Sequence, residues 1–171
     1  VIAAASRDTG VVVRELFASA KQSILIAGFA IHRGREIFRE LAQRMMREPT
    51  LEVTMFLNVA RGLRDTTTKE QLAARFVHEF RRDHWDGTRY PRIFYDPRAL
   101  TMDPKKRTSL HAKCVIIDAS KAFVTSANFT EAAQQRNIEV GALITDGTFV
   151  RNLIGHLHLL FRTGAVGRLP I

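Results

Sequence analysis

Three pairs of polar residues mark the stretch from Leu110 to Ile144 as the part of the chain best suited to chemistry. The pairs are His111 and Lys113, Ser126 and Asn128, and Asn137 and Glu139. They lie among apolar, strand-forming residues, and residues i and i+2 of a β-strand point to the same face of a sheet. We therefore predict that short strands joined by short turns present these side chains on one side of a sheet, close to one another.

These side chains meet the needs of phosphodiester cleavage, which requires a nucleophile, a proton donor for the leaving alkoxide, and positive groups beside the phosphoryl oxygens. A neutral imidazole at His111 can attack phosphorus and form a phosphohistidine that water or another alcohol resolves. Lys113 can bind a non-bridging oxygen, Asn128 can donate its amide to the same group, and Ser126 can hydrogen-bond or orient it. Glu139 suits the task of fixing the proton on the other imidazole nitrogen.

Each of these residues also has a structural interpretation, since Ser and Asn serve turns and a single histidine in a strand is usually a packing or surface residue. Lys113 separates the two interpretations, because burying an ammonium on an apolar strand costs free energy and a purely structural residue has no reason to carry that cost. The remaining histidines have no partner at a meaningful spacing and are expected at the surface or in packing: His32, His78, His84, His156 and His158.

Read in order, the pairs and the aspartate after the first pair resemble the HKD signature of the phospholipase D superfamily: His111-x-Lys113-x4-Asp118, Ser126-x-Asn128 and Asn137-x-Glu139. Within that superfamily, residues 125–139 are most similar to the phospholipase D-like proteins of the DISARM anti-phage system. The resemblance also implies that Glu139 pairs with the motif histidine. Asp118 falls on the opposite strand face from His111, so we expect it to have a structural or supporting role in the site.

The chain departs from the family pattern in two respects. Thr125 stands before Ser126, where the family commonly has glycine. In addition, the family's active site uses two HKD motifs, and this sequence contains one. A second histidine is needed to protonate the leaving group, so we predict a homodimer that brings His111 of each subunit into one cleft, similar to the small bacterial nucleases of the superfamily. The alternative is a second motif in a segment outside this sequence.

Composition bounds the partners of the protein. The 171 residues have the length of one domain, spanning 1–171, and the 46% hydrophobic content is enough for a core. The net charge of +9 favours a polyanionic partner, nucleic acid or an anionic membrane surface, over a merely soluble basic protein. No amphipathic helix or aromatic surface cluster suited to a membrane is evident, so we expect nucleic acid and no stable membrane association.

A basic run precedes the motif. Lys105, Lys106 and Arg107 lie in the predicted loop from Pro97 to Thr108. Loops in such positions often carry binding groups, and these residues are candidates for substrate binding. The alternative is a solvated charge run.

The cysteine content and the termini bear on location. Cys114, the single cysteine, falls opposite the face of His111 and Lys113, and we interpret it as a core thiol in a reducing cytoplasm. No apolar run is long enough for a membrane span, and Val1 to Ala5 lacks the basic flank of a signal peptide. Because the sequence begins with Val1 and not with Met, we expect that upstream sequence is missing.

The elements that position the motif follow from hydrophobic periodicity. Helices are predicted from Asp8 or Thr9 to Lys21, from Gly34 to Arg47, from Thr67 through Phe80, briefly over Glu131 to Gln135, and from Phe149 to Phe161. Strands are predicted over Ser23 to Ile31, Leu51 to Leu57, Arg92 to Asp96, Leu110 to Asp118, Ala122 to Ser126 and Asn137 to Ile144. This order predicts an α/β fold with one mixed sheet and helices on both faces, an α-β-α sandwich of phospholipase D-like type.

Two functions from different classes fit this sequence. The first is a metal-independent, homodimeric phosphodiesterase that acts on DNA or RNA, with a role in phage defence implied by the DISARM resemblance. The second is a nucleic-acid-binding scaffold of a defence complex with weak or no catalysis. Hydrolysis of phospholipids remains a further alternative. The catalytic scheme needs no metal or other cofactor, because histidine, lysine and amide groups supply the charge stabilisation.

Overall fold

The computed structural model describes residues 8–171, and within that range seven strands form one mixed sheet. The strands are β1 (Ser23–Gly28), β2 (Glu52–Leu57), β3 (Arg92–Tyr95), β4 (Cys114–Ile117), β5 (Lys121–Thr125), β6 (Gly141–Ile144) and β7 (Gly167–Arg168). Their order across the sheet is β6-β5-β4-β1-β2-β3-β7. β1, β2 and β3 are parallel to one another, and the other neighbours are antiparallel. Val1 to Ala5, considered above for a signal peptide, lies outside the described residues.

Helices cover both faces of this sheet, which confirms the predicted α/β class. The helices are α1 (Thr9–Ser19), α2 (Gly34–Arg47), α3 (Lys69–Glu79), α4 (Glu131–Gln135) and α5 (Gly147–Arg162). Alternate residues of β1 divide the core: Ile24 and Ile26 belong to the apolar cluster under α1, α2 and α3, whereas Leu25 and Ala27 belong to the cluster under α5. The nearly unbroken apolar run of β1 thus reflects burial on both sides.

The helix starts follow the capping signals of the sequence. The carboxylate of Asp8 accepts a hydrogen bond from the backbone N–H of Gly10 (2.8 Å) at the start of α1. At α3, the side chain of Thr68 accepts from the backbone N–H of Gln71, and the side chain of Gln71 accepts from the backbone N–H of Thr68, both at 3.2 Å. This reciprocal capping box satisfies N–H groups that a helix end leaves without intrahelical partners.

Three of the predicted strands are shorter than the sequence pattern suggested. β4 begins at Cys114, so His111 and Lys113 precede it, and β6 begins at Gly141, after Glu139. β1 ends at Gly28 rather than at Ile31. The reason is the register, because Ala27 of β1 is the partner of Cys114. β1 ends one residue later, at Gly28, so the residues before Lys113 have no β1 residue opposite them to continue the ladder.

Asp118 closes β4 and fixes the start of β1. It lies at a positive φ of 51°, a conformation that aspartate and asparagine tolerate better than most residues. Its carboxylate accepts hydrogen bonds from the backbone N–H groups of Lys21, Gln22 and Ser23 at 2.8, 2.7 and 2.9 Å. Partial burial acts to raise the pKa of Asp118, but these three donors more than offset it and hold the pKa below its usual value. Asp118 therefore joins β4 to the start of β1 through backbone N–H groups.

We predict that Asp118→Asn lowers the free energy of unfolding by about 1–3 kcal/mol at neutral pH, because an amide cannot accept all three bonds. Since the folded pKa lies below the unfolded value of about 3.9, the carboxylate stabilises the protein above that pH. The difference between the two proteins should shrink as the pH falls through the folded pKa. Urea unfolding at a series of pH values measures it, with the exposed Asp86→Asn as control. A difference that stays constant into strong acid would contradict this role of the charge.

Candidate active site

The motif segment, residues 108–113, lies across the carboxyl ends of the parallel strands. The backbone N–H of Leu110 donates to Oδ1 of Asn58, which follows β2, at 3.2 Å. The hydroxyl of Thr108 donates to Oδ2 of the buried Asp96, which follows β3, at 2.7 Å. On the other side, the backbone N–H of Thr125 donates to the carbonyl of Lys113 (3.1 Å). Side chains and loop backbone thus replace the missing strand ladder, at the sheet end where α/β proteins bind ligands.

His111 and Lys113 meet as predicted, although not on a strand. His111 is exposed, whereas Lys113 is only 9% exposed. The Lys113 ammonium lies 3.3 Å from Nδ1 and 3.4 Å from Nε2 of the His111 ring, and it donates to the carbonyl of His111 at 3.1 Å. The ring of Phe29 packs edge-on against the imidazole, with centroids 4.5 Å apart, and the ammonium lies 5.4 Å from its centroid. An accessible imidazole thus lies beside a buried positive charge.

Ser126 of the second pair joins Asn137 and Glu139 of the third pair in a small hydrogen-bonded group. The hydroxyl of Ser126 donates a close hydrogen bond to Oε2 of Glu139, and the amide of Asn137 donates to Oε1 at 3.2 Å. The backbone N–H of Val140 donates to Oγ of Ser126 at 3.1 Å. Among the described residues, the hydrogen bonds and ion pairs of Glu139 do not include one to His111. The pairing of Glu139 with the motif histidine is therefore not made within this chain.

Asn128 lies half-buried in the loop after β5, against the residues that follow β1. The neighbouring Phe129 forms a parallel bridge with Ile31, and its backbone N–H donates to the carbonyl of Ala30 (3.1 Å). Phe129 also explains Gly28: a Cβ there would lie 2.8 Å from the phenylalanine ring, so only glycine fits this close approach. The packing brings the loop of Asn128 to the same end of β1 as Phe29.

Thr125, the departure from the family pattern, is compatible with this loop. Its hydroxyl donates to the carbonyl of Val140 (3.2 Å) and accepts from the backbone N–H of Ala127 (3.1 Å). The side chain therefore supplies bonds that shape the turn into Ser126.

The three candidate binding residues of the basic loop, Lys105, Lys106 and Arg107, differ in their surroundings. Lys105 and Lys106 lie exposed on a 3-10 turn, Pro104–Lys106. The guanidinium of Arg107 instead donates to the carbonyls of Thr101 (3.0 Å), Met102 (3.3 Å) and Arg61 (3.5 Å). Arg107 holds the loop together, and the two lysines are the members whose ammonium groups reach solvent.

Phe29 and Asn58 contact the motif segment but were not identified from the sequence, because neither belongs to a motif. For Asn58 the position supplies a signal that could have found it, because it directly follows the predicted strand that ends at Leu57, where α/β folds collect functional side chains. Phe29 gave no such signal, because it lies inside the predicted strand Ser23 to Ile31 and follows a strand only in the observed structure, where β1 ends at Gly28. Within residues 8–171, groups of three or more His, Cys, Asp or Glu that could hold a metal ion do not occur. Over the same residues, none of the helices is both long and apolar enough to cross a membrane.

Residues 13–160 match the protein family described as "Cardiolipin synthase, PLD-like domain", where PLD stands for phospholipase D. The chain belongs to the phospholipase D superfamily. Its relatives in sequence include the DISARM protein DrmC of Bacillus paralicheniformis, which is 29% identical over 140 residues. That alignment covers 81% of this chain and 50% of DrmC, so the chain spans about half the length of this relative.

Solved structures of the superfamily share the fold. Nuc of Salmonella typhimurium, a phospholipase D family member, superimposes with a TM-score of 0.60 at 19% identity, over 92% of this chain and 88% of Nuc. NucT of Helicobacter pylori gives 0.59 at 17% identity, over 89% and 86%. Phosphatidylserine synthase of Haemophilus influenzae gives 0.69 at 17% identity, over 95% of this chain and 37% of that protein. The chain thus has the fold on which phosphodiesterases of the superfamily are built.

We predict that Cys114 of the folded protein reacts very slowly with thiol reagents at mildly alkaline pH. Burial in the cluster under α5 raises the pKa of its thiol to about 11, so little thiolate is present and the reagent cannot reach it. Reaction with a chromogenic disulfide, followed with and without denaturant, measures the difference. Equal rates in the two conditions would contradict the burial of Cys114. Because this is the single cysteine, the signal needs no mutant background.

Proposed function

We propose that this protein is a metal-independent phosphodiesterase that cleaves DNA or RNA through a covalent intermediate on His111. The observation that carries the proposal is the accessible imidazole beside the buried ammonium of Lys113, 3.3 Å from the ring nitrogen. A buried ammonium without a carboxylate partner at hydrogen-bond distance among the described residues is costly for the fold, and a bound phosphoryl group would complete its environment.

The reaction proceeds in two steps. A lone pair on a nitrogen of His111 forms the bond to phosphorus while the bond to the leaving oxygen breaks, and that oxygen takes a proton from a second histidine. Water, deprotonated by the same second histidine, then attacks phosphorus and releases His111. Lys113 and the amide of Asn128 bind the non-bridging oxygens, where negative charge builds up in both transition states.

A homodimer supplies the second histidine as His111 of the partner subunit. Support comes from the apolar edge beside Glu139: Ile138 is fully exposed, Val140 is 77% exposed and Leu143 is 51% exposed. β6 is the last strand of the sheet on that side, and exposed apolar edges of this kind mark interfaces. In such a dimer, Glu139 fixes the proton of His111 of the partner subunit, which accounts for its lack of a bond to His111 in its own chain.

Nucleic acid is the proposed substrate because the net charge is +9 and Lys105 and Lys106 extend from the loop that leads into the motif. Similarity to the DISARM protein DrmC supports action in phage defence, together with other proteins of such a system, in the cytoplasm.

We predict cleavage of single-stranded or double-stranded nucleic acid in excess EDTA, and a decrease in kcat of roughly 1,000-fold or more in His111→Ala, because the nucleophile is lost. His78→Ala, a change of the same type at an exposed histidine of α3, is the matched control and should keep full activity. Tight binding of nucleic acid without cleavage by the wild type would instead support a scaffold. Cleavage of phosphatidylcholine vesicles but not of nucleic acid would make it a phospholipase.

We predict that a subunit with His111→Ala also inactivates the wild-type subunit with which it pairs. If both histidines of a dimer form one site, an equal mixture of wild-type and His111→Ala subunits, co-expressed or refolded together, keeps about a quarter of the activity of the same total amount of wild type. Independent sites would keep about half. Size-exclusion chromatography with light scattering should give a dimer, and Val140→Asp should shift it towards monomer and reduce activity in parallel.

A further inference from the structure

A cavity of about 310 Å³ opens beyond the carboxyl ends of β1 and β2, next to the motif segment. Its walls combine apolar rings and chains with polar groups: Phe29, Ile31, Phe76, Asn58, Glu79 and His84. Its volume is at the lower end of the range for small-molecule sites. The catalytic scheme above uses none of these residues.

Two of the lining residues connect the cavity to the catalytic centre. Phe29 forms part of the wall, and its ring contacts the imidazole of His111 with centroids 4.5 Å apart. Asn58 also forms part of the wall and holds the backbone N–H of Leu110, the residue before the nucleophile. The cavity thus adjoins His111 through the ring of Phe29, and a nucleoside likewise carries its base close to its phosphate.

The polar groups of the wall include donors as well as an acceptor. Because the backbone N–H of Leu110 donates to Asn58, the accepting atom is the amide oxygen, and the amide nitrogen remains a donor. His84 accepts from the backbone N–H of Gly34 through Nδ1 (3.3 Å), so its proton is on Nε2. Burial lowers the pKa of His84, which keeps the ring neutral. Glu79 supplies the acceptor.

We propose that this cavity binds the nucleobase next to the scissile phosphate, with the base against the aromatic rings and its edge hydrogen-bonded by Asn58, Glu79 and His84. A base has a flat apolar face and both donors and acceptors in its plane, which this wall matches. A choline headgroup would suit an aromatic wall with one carboxylate but would leave the donors of Asn58 and His84 without partners. The inference rests on the proposed function, since it identifies the substrate as a nucleic acid and assigns its base a site.

The experiment compares ligands that share a phosphate and differ in what the cavity would hold. Binding of the four nucleoside 5′-monophosphates, phosphocholine and methyl phosphate is measured by calorimetry. The variants are Ala60→Leu, which places a larger side chain at the cavity wall, and Ala74→Leu, a change of the same type at an exposed position of α3 away from the cavity. The best nucleotide should bind the wild type about tenfold or more tightly than methyl phosphate, the gain that stacking of one base gives. Ala60→Leu should remove that preference and Ala74→Leu should keep it.

Three results would overturn the assignment: equal affinity of all nucleotides and methyl phosphate for the wild type, a nucleotide preference that survives Ala60→Leu, or a preference for phosphocholine that Ala60→Leu removes. Glu79→Gln provides a second measure, because it should change the order of preference among the bases by altering one acceptor. Binding does not depend on turnover, so a base preference in a protein that cleaves nothing would refute the catalytic proposal and leave the base site standing.

Discussion

The buried ammonium of Lys113 is the constraint on which the geometry of this site depends. A positive charge at this depth needs compensation, and the protein supplies the carbonyl of His111 at 3.1 Å and the face of the Phe29 ring. To reach this carbonyl, the lysine side chain extends back along its own segment to His111, two residues earlier. The imidazole of His111 itself remains exposed to solvent beside this buried charge. A phosphate bound there would add the anion that the protein itself does not provide.

The strands beneath the site explain how a segment without secondary structure can be held so firmly. Asn58 and Asp96, which directly follow parallel strands, bind the motif segment by one hydrogen bond each. Asp96 is buried, and although burial acts to raise its pKa, bonds from Arg98 and Thr108 hold that pKa below its usual value. The Asp96 carboxylate therefore stays ionised near neutral pH and accepts the hydrogen bond from Thr108. The strands fix the positions of Asn58 and Asp96, and the hydrogen bonds to these two residues fix the position of the motif segment.

Sequence patterns predicted the fold class and the starts of α1 and α3, because hydrophobic periodicity and capping are local signals. The predicted end of β1 and the predicted starts of β4 and β6 were wrong. The length of a strand depends on the neighbour it pairs with, and the register that pairs Ala27 with Cys114 cannot be deduced from either segment alone. For the site, spacing predicted the meeting of His111 with Lys113. It did not predict that Glu139 bonds Ser126 and Asn137, because the short distance between the two loops is a tertiary feature. Arg107 is a second case in which tertiary contacts decide the role of a residue. Its charge alone did not show whether its guanidinium binds the carbonyls of its own loop or is free to bind a substrate.

The pairing of β1 with β4 has a consequence for the order in which the protein is made. The hydrogen bonds that the Asp118 carboxylate accepts from Lys21, Gln22 and Ser23 join residues that are 95 to 97 positions apart in the sequence. Closing such a long loop costs entropy that local contacts cannot repay, so we expect this step to come late in folding. On the ribosome, α1 to β3 can assemble from consecutive segments, but His111, Asn128 and Glu139 all follow β3 and are synthesised later. A nascent chain therefore carries its three parallel strands before it carries any candidate catalytic residue, and an incomplete product that ends before His111 lacks all of them.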